Sequence, residues 1–79
     1  MIADPARFKV LVIDDEVQIR RLLRLTLEDA GYVVREADSG GSGLDEARRD
    51  PPDAIILDLG LPDINGVEVV AHLRGESAV

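Results

Sequence analysis

Three short apolar runs, each leading into a polar or helical segment, constrain this chain more than any other feature. "FKVLVI", Phe8 to Ile13, is rich in β-branched residues and stops at "DDE", Asp14 to Glu16, as a buried strand does on reaching solvent. From Val17 to Ala30 the apolar residues Ile19, Leu22, Leu23, Leu27 and Ala30 recur at helical spacing, with Arg20, Arg21, Arg24, Glu28 and Asp29 on the other side. Gly31 follows, where a helix C-terminus favours a left-handed residue. "YVVREA", Tyr32 to Ala37, reads as a second strand whose mixed polarity suits a sheet edge. A loop and a short helix then run to about Asp50, weakened by Gly41 and Gly43, since an interior glycine costs roughly 1 kcal/mol relative to alanine. After "PPD", a third strand is expected at Ala54 to Leu57 and a third helix at about Gly66 to Arg74.

Strands that alternate with helices and are apolar nearly throughout imply an α/β fold, a parallel sheet covered on both faces. Right-handed crossovers and a central first strand give the order 2-1-3, with the first helix on one face and the others opposite. This is a three-layer arrangement. Between the first and third strands the chain switches faces, and a crevice opens at their carboxyl ends, where open α/β sheets bind ligands. Asp14, Asp15 and Asp58 all fall at that rim.

Asp58 is not needed to end its strand, because Gly60, Pro62, Asn65 and Gly66 supply turn chemistry directly after it. Asp15 and Glu16 have a local alternative as caps of the first helix, and Asp58 as an ordinary loop-start residue. Taken together, three carboxylates on neighbouring strand ends repel one another unless a cation compensates. Carboxylates, a backbone carbonyl and water form an oxygen shell suited to Mg2+. Asp15 and Asp58 are the expected direct ligands, Gly60 the carbonyl donor, and Asp14 a ligand through water. An aspartate beside Mg2+ can attack phosphorus and become an aspartyl phosphate, and Asp58, at the strand end, is the expected nucleophile.

Bulk properties narrow the partners. With 79 residues the chain makes one small domain, and 16 acidic against 9 basic residues, a formal charge of -7, exclude a phosphate-backbone partner. There is no cysteine, and no apolar run approaches the ~20 residues of a membrane span. A soluble cytoplasmic protein that touches neither nucleic acid nor membrane is the expectation.

"VLVIDDE" followed by "ILDLGLPDINGVEVV" resembles the receiver domain of bacterial response regulators. The resemblance implies that Asp14 and Asp15 are the acidic pair, Asp58 the phospho-acceptor and Gly60 the carbonyl donor to Mg2+, with a sensor histidine kinase as phosphodonor. "ILDLGLPD" and the tail "LRGESAV" are similar to the potassium-transport operon regulators of the winged-helix class, which implies a role in transcription regulation. The match runs from Phe8 onward, so residues 1–79 are expected to form a partial receiver domain, truncated after the third strand-helix unit, which the resemblance implies to be an incomplete flavodoxin-like fold. The family also places a Ser or Thr and a Lys against the phosphoryl group from two further strands. Here the one lysine, Lys9, starts the first strand, and the one threonine, Thr26, lies inside the first helix. Impaired phosphorylation is therefore expected, together with self-association through the edge of the third strand.

Other motifs carry less. "SGGSG", Ser39 to Gly43, lacks the residues of a phosphate loop, and "DINGVE" places Leu61 and His72 where a calcium loop needs oxygen ligands. His72 reads as a surface residue and the Arg20, Arg21, Arg24 group as a solvated face balanced by Glu28. Three function classes follow: a phospho-accepting signalling module, not itself an enzyme; a non-signalling half-domain that self-associates; and an aspartate-nucleophile phosphohydrolase, which would want a second Asp where Gly60 stands.

Overall fold

The computed structural model describes residues 8–64, and the expected third helix lies outside them. Within that span the order is β1 (Lys9–Ile13), α1 (Val17–Asp29), β2 (Val33–Ala37), α2 (Gly40–Arg49) and β3 (Ala54–Leu57). The strands form one parallel sheet in the order β2-β1-β3, the order expected for right-handed crossovers about a central first strand. Lys9 pairs with Val33 and Ile13 with Ala37 on one side of β1, while Val10 pairs with Ala54 and Ile13 with Leu57 on the other.

Because side chains alternate across a strand, β1 supplies both cores. Leu11 and Ile13 pack with Ala37, Ala47, Leu61, Ile55 and Leu57 on the α2 face. Val10 and Val12 pack with Val34, Leu23, Leu27, Tyr32 and Ala54 on the α1 face. The two helices therefore cover opposite faces, and the switch point falls between β1 and β3.

Two strands begin one residue later than the apolar runs suggest. Phe8 and Tyr32 lie just outside β1 and β2, where their rings meet edge to face at 5.6 Å. Gly31, with φ of 100°, takes the left-handed turn after α1. The apolar stripe of α1 is only partly used: Leu23 and Leu27 meet the sheet, whereas Ile19 is 47% exposed and Leu22 65%. The helix lies over β1 and β2, so a stripe wider than that contact line leaves its flank in solvent. Ile56, the register partner of Val12, is 37% exposed on the same face.

Helix α2 is N-capped by Ser39, whose hydroxyl accepts the Ser42 N–H at 3.1 Å. Its buried residues Gly40, Gly43, Leu44 and Ala47 follow the i, i+3, i+4, i+7 spacing of one inward face. At the amino-terminal rim of the sheet, Lys9 Nζ donates to Asp50 at 3.0 Å, and its backbone N–H donates to Asp53 at 2.7 Å. Arg35 joins Glu46 at 3.0 Å and the Asp50 carbonyl. The lysine is thus occupied at the end of the sheet far from Asp58.

Candidate functional site

β1 and β3 stop in register, and that coincidence builds the site. The Asp14 N–H still bonds the Ala37 carbonyl at 3.1 Å, and the Asp58 N–H bonds the Ile13 carbonyl at 2.9 Å. Both backbones are therefore held by the sheet while their carboxylates stand beyond its last paired residues, Ile13 and Leu57. Asp15 follows in the turn to α1. One carboxylate oxygen from each of Asp14, Asp15 and Asp58 lies within 4.8 Å of the others, with Asp14 and Asp58 half-buried and Asp15 exposed.

The local alternatives for these acids are only partly realised. Glu16 occupies the N-cap of α1 but its side chain makes no capping bond, and Asp15 precedes the helix. Asp14 Oδ1 accepts the Glu16 N–H at 2.9 Å, a bond that shapes the turn rather than caps the helix. Asp58 does close a turn, since its Oδ1 accepts the Gly60 N–H at 2.8 Å. That bond uses one oxygen of the carboxylate and ties Gly60, the expected carbonyl donor, to the acid it is expected to assist.

Asp63 has a use that sequence reasoning missed. Its two oxygens accept the N–H groups of Gly40 and Gly41, each at 2.9 Å, so the loop after β3 is pinned to the start of α2. Those amides, Gly41 foremost, hold the Asp63 carboxyl below the ordinary aspartate range. His72 and Gly66 lie outside the described residues.

The arginine group departs from the expected solvated face. Arg24 does pair with Glu28 at 3.2 Å, but Arg20 is only 15% exposed and binds Glu36, 17% exposed, at 2.7 Å. Arg24 reaches the other Glu36 oxygen at 2.9 Å. Hydrogen bonds from Arg24 and then Arg20 outweigh burial and hold the Glu36 carboxyl below its usual range. A mid-strand acid beside a helical arginine is the one signal that points to this pair.

A pH dependence follows. Glu36, Asp50 and Asp63 all titrate lower in the folded chain, Asp50 chiefly through its hydrogen bond from Lys9. A depressed carboxyl contributes stability above its unfolded value, and that contribution is lost as pH falls through the folded one. The urea midpoint is expected to be level from pH 7 to about 5 and to drop as pH falls past the ordinary values of 4.5 and 3.8. A midpoint unchanged down to pH 3 would contradict these pairings.

No helix among the described residues is long and apolar enough to cross a membrane. Against known proteins, residues 10–79 match the family described as response regulator receiver domain. The chain is 53% identical over 70 residues to the KDP operon transcriptional regulatory protein KdpE of Escherichia coli K12, covering 89% of this chain and 31% of that protein. Among solved structures, the chemotaxis response regulator CheY4 of Vibrio cholerae superposes with a TM-score of 0.84 at 40% identity, over 86% of this chain and 57% of its own. The response regulator TrrA of Thermotoga maritima in complex with Mg(2+)-BeF gives 0.84 at 36% identity, over 87% and 60%. TrrA is also known in complex with the histidine kinase ThkA. The chain thus spans about a third of the curated relative and somewhat over half of the solved chains. Strand order, an acidic pair set beside a third strand-end aspartate, and the family match over residues 10–79 lead to one conclusion: this chain belongs to the response regulator receiver domain family.

Proposed function

We propose that the chain is the phospho-accepting part of a two-component response regulator, with Asp58 as acceptor and Mg2+ held by Asp15, Asp58, the Gly60 carbonyl and, through water, Asp14. The convergence of the Asp14, Asp15 and Asp58 oxygens within 4.8 Å carries this reading. The donors are all hard oxygens, and among the described residues the one guanidinium at this turn, that of Arg20, bonds the Asp14 carbonyl rather than a carboxylate of the cluster. Such a donor set fits a small divalent cation, which keeps part of its water and takes one or two carboxylates. Bound there, Mg2+ would neutralise charge on the phosphoryl oxygens. Asp58 supplies the nucleophile: a carboxylate oxygen forms the new P–O bond as the P–N bond to a kinase histidine breaks and the imidazole leaves with its electron pair. Gly60 N–H holds the other side of that carboxylate and so sets its rotation. Asp58 is modified once per event, so the domain is an acceptor rather than an enzyme. A histidine kinase as donor, a cytoplasmic setting and an output in transcription are the corresponding proposals for the whole protein.

The test is a Mg2+ titration with acyl-phosphate labelling followed by mass. Asp58→Asn is expected to weaken Mg2+ by at least about tenfold, the loss already typical for an outer-shell partner of a metal ligand, and to abolish any +80 Da product. Equal affinity in Asp58→Asn and the parent, or labelling elsewhere, would overturn the assignment. Labelling of the 79-residue chain is expected to be slight, because its lysine is paired with Asp50 and Thr26 donates to the Leu22 carbonyl within α1. Turnover of simple phosphoesters would instead favour the phosphohydrolase reading.

Self-association is the proposal for the chain's own surface. Among the described residues β3 pairs only with β1, and neither charge nor proline interrupts "AIIL". Ile56 is the residue to replace, since Leu57 packs into the α2-side core. Sedimentation is expected to show a dimer or larger species at micromolar concentration and a monomer for Ile56→Lys. A parent chain that sediments as a folded monomer at every concentration would exclude it.

A further inference from the structure

Three features lie outside the acidic cluster: the open flank of α1, the Asp63 clamp on α2 and the Arg20–Glu36 pair. Nothing present on the α1 flank says what covers it, and the clamp already belongs to the loop described above. The pair reaches into the site itself. Arg20 Nη1 donates to the Asp14 carbonyl at 2.8 Å while its Nε donates to Glu36 Oε1 at 2.7 Å. Glu36 stands on β2 as the register partner of Val12, next to Ala37, whose carbonyl accepts the Asp14 N–H. The N–H of Asp14 is thus held by β2, and its C=O by a guanidinium that β2 also anchors.

A peptide unit is planar, so fixing the Asp14 carbonyl fixes the plane it shares with the Asp15 N–H. That plane decides how the two consecutive carboxylates are presented. We propose that Arg20, clamped by Glu36, is a positioning residue for the Asp14–Asp15 pair, setting the turn that presents both carboxylates to a divalent cation. The metal part rests on the function proposed above. The guanidinium's fork suits the role, since it offers separate donors to a carboxylate and a carbonyl in fixed geometry. Glu36 also offsets its charge, and the second Glu36 oxygen is kept in place by Arg24.

Charge and position predict opposite signs here, which makes the test sharp. Removing a cation near an acidic cluster should, by Coulomb's law alone, tighten Mg2+ binding. Loss of positioning should loosen it, by about tenfold on the scale of outer-shell partners of metal ligands. In the full chain, at a temperature where each variant is folded by circular dichroism, Arg20→Met is expected to bind Mg2+ about tenfold more weakly. Arg21→Met, the same charge change at the exposed neighbour, should bind as the parent does or slightly tighter. Arg20→Lys keeps the charge but lacks the fork, and it too should bind more weakly. Without metal, the amides of Asp15 and Glu16 should shift and exchange faster in Arg20→Met and Arg20→Lys but not in Arg21→Met. Arg20→Met binding Mg2+ as tightly as the parent, or unchanged Asp15 and Glu16 amides, would overturn the proposal, and should Arg20→Met not fold, Arg20→Lys is read by the same two criteria. If the parent itself binds no Mg2+, the metal reading fails, while the amide measurement still decides whether Arg20 sets the turn.

Discussion

Gly43→Leu is expected to lower the melting temperature by about 10–20 °C, which is about 2–3 kcal/mol for a chain of this length. A Cβ at Gly43 would stand 2.5 Å from Ile13 Cδ1, 2.8 Å from Cγ1 and 3.1 Å from Cγ2. The first of these is a flexible tip, but Cγ1 and Cγ2 spring directly from Cβ, so one rotation cannot clear all three. Leucine is the better helix former by about 1 kcal/mol, so the propensity change works against the expected loss and any drop is due to the clash. The whole chain has about 4–12 kcal/mol to lose, at 0.05–0.15 kcal/mol per residue. Thermal unfolding followed by circular dichroism checks it. A variant as stable as the parent would mean that α2 does not approach β1 this closely.

Ile13→Ala attacks the same contact from the other side and is expected to cost about 2–5 kcal/mol, the range for truncating a buried isoleucine. Ile13 is fully buried, and its carbonyl accepts the Asp58 N–H. Its loss should therefore disturb the strand-end site along with the core. Ile56→Ala, one strand over and 37% exposed, should cost less, about 1–2 kcal/mol at about 0.8 kcal/mol for each buried carbon removed. The double variant Ile13→Ala with Gly43→Leu is the informative one. The leucine enters space the isoleucine leaves, so the two losses should fall short of additive by about 1–3 kcal/mol. Strict additivity would show that the two residues do not share a contact.

Gly43 also shows how local reading goes astray. By propensity it is a flaw in a helix, and α2 forms nonetheless because that position lies against Ile13, where a side chain has no room. The same holds for Arg20. Helical spacing puts it beside Arg21 and Arg24 on a polar face, which is correct for α1 alone, but β2 brings Glu36 against that face. Ile19 and Leu22 err the other way: their spacing marks an apolar stripe, yet α1 meets the sheet chiefly along Leu23 and Leu27.

Whatever depends on chain-local period and strand ends was determined by the sequence itself. The alternation of strand and helix implies a parallel sheet, a first strand taken as central gives the order 2-1-3, and strands ending in "IDD" and "LD" put Asp14, Asp15 and Asp58 on one rim. These follow from side-chain periodicity and right-handed crossover, which act over a few residues or one connection. Only the tertiary structure decided that Asp63 holds Gly40 and Gly41, that Lys9 is spent on Asp50, and that Arg20 bridges Glu36 to the Asp14 carbonyl. Each joins groups on different elements, and all but one of the bonds span 16 to 41 residues. A long-range hydrogen bond leaves no periodic mark on either partner, so it becomes visible only when packing brings donor and acceptor within 3 Å.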